Sequence, residues 1–406
     1  MTTDNNEQNW EFITLAAAAI LMVIMGARQS LGLFVSPLNT STGLGIVTIS
    51  LAMAVNQFVW GAAQPIAGAL ADRFGPGRVL LAGVMIFALG NALTPSITTA
   101  FGLFMTLGLL SAIGSGAVSF AVLIGAVSRR LPMARRGTAT GVINAGSSFG
   151  QFVFAPLLQM LISVWGWMGA MWSLAVITLA TLPLVPVMRA RGPAGATPAG
   201  QNSADGLGAT LKTALSDRSY LLLHAGFFTC GFHIAFLVTH LPGEVDLCGL
   251  PASVASWSLA IIGLANIAGS LAAGWCVNRY RSKYVLFWMY GSRALLVLLY
   301  LVALKTEWTF YLFAGGLGFT WLATVPPTAG VVSKLFGTRY LATLFGLTLL
   351  SHQTGGFFGA WMGGIALMHY GNYLWMWYTD ALLAAAAALL NLPIREPQIE
   401  PEPLPA

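Results

Sequence analysis

Few side chains in this chain can do chemistry, and several of them stand where water is scarce. Arg28 lies in the stretch MGARQSLGLF, residues 25–34, inside an apolar run from about Phe12 to Pro37. A guanidinium carried into lipid costs roughly 2.5–3.5 kcal/mol on insertion scales, so it turns to a cavity or to a partner. Its planar fork of donors can hold a carboxylate by two parallel hydrogen bonds. No Asp or Glu occurs in the apolar runs of the N-terminal half, which leaves the charge without an evident counter-ion and suits an anionic ligand. The competing reading is a structural Arg bonded to helix carbonyls and nearby Ser or Gln. His233 and His352 also lie deep in apolar runs. Histidine is the side chain best suited to carry a proton near neutral pH, although a neutral imidazole can also simply pack. Arg293 and Asp380 are two further charges within such runs.

Other chemistries are poorly supported. Gly146-Ser147-Ser148-Phe149-Gly150 spells G-x-S-x-G, but a nucleophile elbow needs a strand before it and a His/Asp pair around it. Within a helical run the same spacing serves close helix packing. No GxxxxGK[ST] phosphate loop occurs, so ATP would not drive an activity through this chain. Cys230, Cys248 and Cys276 lack CxxC spacing, and neither a disulfide framework, a metal site nor a cofactor is expected.

The elements that must position these residues are set by composition. Of 406 residues, 57% are hydrophobic and 8% charged, whereas a soluble domain carries about 25% charged residues. A bilayer core takes about 20 apolar residues per helix. Runs of that length recur near residues 12–37, 46–70, 78–97, 101–127, 137–162, 167–189, 219–242, 253–277, 284–304, 308–333, 340–368 and 373–393. The expectation is an all-α polytopic membrane protein with twelve spans. The one long break contains RGPAGATPAGQNSADG, a flexible composition that divides the chain into residues 1–190, a linker 191–218 and residues 219–406. Of the 19 Lys and Arg, 16 fall in alternate loops and the C-terminal tail, and Lys305 alone marks the opposite side. Positive charge gathers on the cytoplasmic side, which puts both termini and the linker there. The net charge of +6 is thus a topology signal with no bearing on nucleic acid.

The two halves repeat one another. A shift of 205 residues brings Gly141, Gly150 and Trp172 onto Gly346, Gly355 and Trp377. A shift of 206 brings Gly68, Asp72 and Arg73 onto Gly274, Asn278 and Arg279. Two six-helix halves in the same orientation are similar to the major facilitator architecture, in which ligand sites lie near the midplane between rocking halves. The loop GALADRFGPGR, residues 68–78, resembles the signature G-x-L-A-D-R-x-G-[RK]-[RK] of that superfamily. The segment RGTATGVINAGSSFGQFVFAPLLQMLISVWGWMG, residues 136–169, resembles the monocarboxylate transporter and oxalate:formate exchanger branch. That branch carries an Asp and an Arg in its eighth span where this chain has Asn266 and Ser270, and a first-span Lys where this chain has Gln29. Leu110 replaces the Arg of proton-coupled drug antiporters.

The resemblance implies a secondary transporter working by alternating access, with protons as a coupling ion. The cargo is expected to be a small organic anion moved by proton symport or anion exchange; the competing reading is an efflux carrier for a neutral or amphiphilic compound. It implies a bacterial inner membrane and a functional monomer embedded in lipid. Asp72, Arg73 and Arg78 would form a gate in the loop after the second span. Arg28 and Gln29 would face the central cavity with Asn144, Gln151, His233, Trp321, His352 and Gln353 as ligand contacts. Asn56, Gln57, Ser351, Phe227 and Phe232 are neighbours. The ninth and twelfth spans are peripheral neighbours in that family, so Arg293 and Asp380 are expected to pair as a structural ion pair.

Overall fold

The computed structural model describes residues 2–128, 130–131, 133–188, 204–337 and 341–396, nearly all of them helical. The N-terminal half contains α1 (Thr2–Gln29), α2 (Ile46–Phe74), α3 (Pro76–Leu93), α4 (100–128), α5 (133–165) and α6 (167–179). The C-terminal half contains α7 (Arg218–Leu247), α8 (Ala252–Arg279), α9 (Ser282–Val302), α10 (307–336), α11 (Leu341–Tyr370) and α12 (Leu374–Asn391). Ala204–Ser216, within the expected linker, is a further helix; residues 191–203 lie outside the described residues.

Hydropathy and length alone mark eight stretches of the described residues as able to cross a membrane. The stretch Thr138–Met188 holds both α5 and α6, which turn at Gly166 (φ 67°). α10 is split into Glu307–Thr320 and Val325–Phe336. α11 and α12 are diluted by Ser351, His352, Gln353 and Asp380. The polar residues that lower their hydropathy are those from which chemistry was expected.

Helix ends follow local chemistry. Gly75 (φ 90°) closes α2 with its N–H on the Ala71 carbonyl, and Pro76 opens α3 where no N–H is needed. Asp217 caps α7 by accepting from the Tyr220 amide. The first span was expected to run on to residue 37, but α1 stops at Gln29. The chain then tightens into a 3-10 turn, Leu31–Phe34, before the short helix Val35–Thr42. Pro37 cannot supply the N–H that would bond back to residue 33 in a continuous helix.

The repeat is visible in the packing. A Cβ on Gly150 of α5 would overlap the Met22 carbonyl of α1. A Cβ on its repeat mate, Gly355 of α11, would overlap the Phe228 carbonyl of α7. The same small residue lets equivalent helices touch in each half. Between the halves, close approach runs from the middle, where Gly263 of α8 sits on the Ser148 carbonyl of α5 and Gly61 of α2 on Gln353 of α11, to one end. Gly32, just beyond α1, sits on the Val238 carbonyl of α7, and Gly364 of α11 sits on Ser50 of α2. Towards the end that carries the termini, Gly68, Gly141, Gly274 and Gly346 have nothing within 4 Å of where a Cβ would stand. The halves press together at the distal end and part at the terminal end.

At the terminal end the chain beyond α12 folds back to α9. The Glu396 carboxylate accepts from the Ser282 and Lys283 amides, each at 2.9 Å, and from Lys334 Nζ at 2.6 Å. Burial alone raises the pKa of this carboxyl, but Lys334 and the two amides together outweigh it and hold the group below the usual glutamate value.

Candidate anion site between the halves

A cavity of about 90 Å³ lies between the two halves. One water needs about 10–15 Å³ on the same measure, so there is room for a small organic acid or several waters. Arg28, Gln57 and Trp60 reach it from the N-terminal half, and Trp321, Leu322 and His352 from the C-terminal half.

Arg28 is buried near the C-terminal end of α1. One of its terminal nitrogens donates a short hydrogen bond to Gln57 Oε1, and its guanidinium lies 3.8 Å from the centre of the Trp60 ring. Gln57 and Trp60 are three residues apart on α2 and so share a face of that helix. The ring holds the cation by its quadrupole without neutralising it. Gln57 Nε2 in turn donates to Gln353 Oε1 of α11 at 3.0 Å, so the amide chain from Arg28 crosses between halves. Arg28 Nε has no partner, and among the described residues no carboxylate pairs with this cation.

The second intramembrane Arg has a different environment. α10 breaks between Thr320 and Val325, just before Pro326 and Pro327. Such a break inside a membrane requires new partners for the freed backbone groups. Arg293 supplies them: Nη2 donates to the carbonyls of Thr320 (2.6 Å) and Trp321 (3.3 Å), and Nη1 to Cys230 Sγ (3.5 Å). Asn266 Oδ1 accepts from the Leu322 amide at 3.0 Å, while its Nδ2 donates to Ser148 of α5. The expected Arg293–Asp380 ion pair is therefore replaced. Asp380 Oδ2 pairs instead with His233 Nδ1 through a short contact, and both residues are fully buried. The broken helix offers carbonyls that a neighbour-by-neighbour reading of intact spans does not contain.

The other expected contacts divide. Gln29, Trp321 and His352 line the cavity, and Gln353 joins it through Gln57. His233 stands behind Trp321, ring centres 6.2 Å apart, and does not line it. Gln151 is buried on α5 beside Gly263 of α8 with its amide unpartnered, outside the lining. Asn144 is exposed on α5, also outside it, because its position places it on another face of that helix. Trp60 was not singled out, although its spacing from Gln57 was the available signal. In the gate loop, Arg73 and Arg78 are exposed, with the Arg73 guanidinium 5.2 Å from the Phe74 ring centre. The side chain of Asp72 lies outside the described residues.

Comparison with known proteins bears on the family and the fold. The Major Facilitator Superfamily profile matches residues 17–360 and 245–404. Monocarboxylate transporter 13 of Rattus norvegicus is 27% identical over 409 residues, covering 96% of this chain and 91% of its own. The oxalate:formate antiporter of Oxalobacter formigenes is 25% identical, covering 94% of this chain and 89% of its own. The crystal structure of a D-xylose-proton symporter matches with a TM-score of 0.73 over 94% of this chain and 97% of that one, at 14% identity, a likeness of fold. A profile that runs through most of both halves, on a bundle that repeats itself around a central cavity, places this chain in the Major Facilitator Superfamily of membrane transporters.

Proposed function

We propose that the chain is a secondary carrier for a small organic anion of the monocarboxylate kind, moved by alternating access with proton symport or anion exchange as the coupling. The observation that carries this reading is Arg28, a buried cation in the inter-half cavity with an amide and an indole for neighbours and, among the described residues, no carboxylate partner. A ligand carboxylate would complete the fork that Gln57 only half occupies. With the positive loops taken as cytoplasmic, the parted end faces the cytoplasm and the pressed glycines close the outer side. Asp72, Arg73 and Arg78 would then act as the cytoplasmic gate of a cell-membrane carrier that works as a monomer. The apolar remainder of the lining, including Met25, Met53, Ile234 and Val238, supports the second reading, efflux of a neutral or amphiphilic compound.

Proteoliposomes offered radiolabelled formate, lactate and oxalate, with and without a pH gradient, test the proposal. Uptake of at least one acid is expected from the wild type and its loss from Arg28→Gln. Wild-type rates in that variant would remove the anion site from Arg28.

A further inference from the structure

We infer that His233 and Asp380 form the proton-carrying dyad of this carrier, separated from the anion cavity by the Trp321 ring. The inference rests on the symport reading above and names its proton site. Both side chains are fully buried, one on α7 and one on α12, and they are hydrogen bonded to each other through Nδ1 and Oδ2. Their outer atoms, His233 Nε2 and Asp380 Oδ1, have no partner among the described residues. A buried polar atom left unpaired is costly, and a purely structural pair would relieve it. The spare positions suit a group that must take up and release a proton.

The charged group facing the dyad is Arg293 of α9; Tyr290 of α9 and Cys230 of α7 stand against Arg293, and His352 of α11 stands against Cys230. α10 contributes the Trp321 ring, which meets the His233 ring nearly edge to face and lines the cavity on its other side. With His233 neutral, Nδ1–H donates to the Asp380 carboxylate and Nε2 keeps its lone pair. Arg293 and Asp380 then sum to zero charge. A proton from cavity water adds to Nε2, giving an imidazolium held by Asp380 and a net charge of plus one. Its release to water on the other side restores the starting state. The pair takes up that proton as a unit. One monocarboxylate on Arg28 and one proton on the dyad move together without net charge.

The test uses the full chain in liposomes and the acids formate, lactate and oxalate. An inside-alkaline gradient should drive accumulation by the wild type, and a potassium diffusion potential of either sign should leave that of the monoanions formate and lactate unchanged. Asp380→Asn and His233→Gln should each lower gradient-driven accumulation about a hundredfold, the scale of losing a positioned proton-transfer group. Exchange of the same acid at equal pH should fall far less, and Asp380→Glu should regain coupling. Wild-type accumulation in Asp380→Asn, or equal loss of both fluxes in all three variants, overturns the assignment. Infrared difference spectra between pH 5 and 8, the interval in which histidine changes charge, give a readout that needs no acid. The bands to read are those of His233, taken as wild type minus His233→Gln because the other four histidines, including the exposed His369, are common to both; an imidazole–imidazolium pair should remain in that difference. If the wild type carries none of the three acids, the anion reading fails by itself. The infrared bands then decide the dyad: their presence supports it and their absence overturns it.

Discussion

Arg28 and Arg293 are both buried arginines within helices of a membrane protein, one in each half, yet their surroundings assign them opposite work. Arg293 is held by the protein through both terminal nitrogens, bonded to two carbonyls of the broken α10 and a sulfur. Arg28 has one amide oxygen on one terminal nitrogen and the face of an indole; the Nε of each arginine has no partner among the described residues. The sequence context of the two is alike; what separates them is whether nearby backbone has been freed to accept. A buried cation that satisfies a helix break is scaffold, and one that is left short of acceptors at a cavity wall is the binding group we propose.

The contrast breaks most visibly at Arg293. Arg293→Leu strands two carbonyls of the broken α10, so stability should fall by about 2–6 kcal/mol at the usual cost of an unpaired buried acceptor, read as a lower melting temperature in detergent. Because Asp380 bonds to His233 and Arg293 to α10, adding Asp380→Leu should recover little of that loss. Full recovery in the double variant would mean that the two charges pair after all. Arg28→Gln should do the reverse: near-normal melting, with anion binding weaker by about 2–5 kcal/mol, the cost of truncating one side of a buried charge contact. Arg28→Lys should fall between, since an ammonium cannot present the fork. A large drop in melting temperature with either Arg28 variant would make it scaffold too.

Two smaller effects sharpen the comparison. At the other end of α9, Glu396→Gln removes the charged cap and should cost about 1–2 kcal/mol. The Glu396 pKa is lowered in the folded protein. The contact therefore stabilises fully above the unfolded glutamate value of about 4.3 and ceases to do so as pH falls through the lowered folded value. Melting curves of wild type and Glu396→Gln should converge on acidification, and a constant gap would rule out the carboxylate. Trp60→Leu should weaken anion affinity by about 0.5–2 kcal/mol through loss of the ring that holds the guanidinium, measured as a rise in the half-saturating acid concentration. No change would mean that Gln57 alone positions Arg28.

The fold could be read from the sequence because lipid demands long apolar runs, and the repeat of Gly150 in Gly355 is a packing requirement written twice. Arg28 was legible because a charge inside such a run has few outlets. Partner choice was not. Arg293 and Asp380 share a neighbourhood, but the Pro326-Pro327 break changed what Arg293 could bond to, and His233 took Asp380. The break carried a signal in those two prolines. Asn144 failed for a different reason: within a long helix, an error of one residue in rotation moves a side chain about 100° around the axis, given 3.6 residues per turn.

The cap on α9 also bears on how the protein is made. Ser282 and Glu396 are separated by 114 residues, so α9 is synthesised long before the carboxylate that satisfies its first amides. During that interval α10, α11 and α12 must be threaded into the bilayer while the start of α9 relies on water or lipid headgroups. The C-terminal half thus completes itself by a late clasp, and the membrane insertion machinery handles an unfinished helix end for most of its translation.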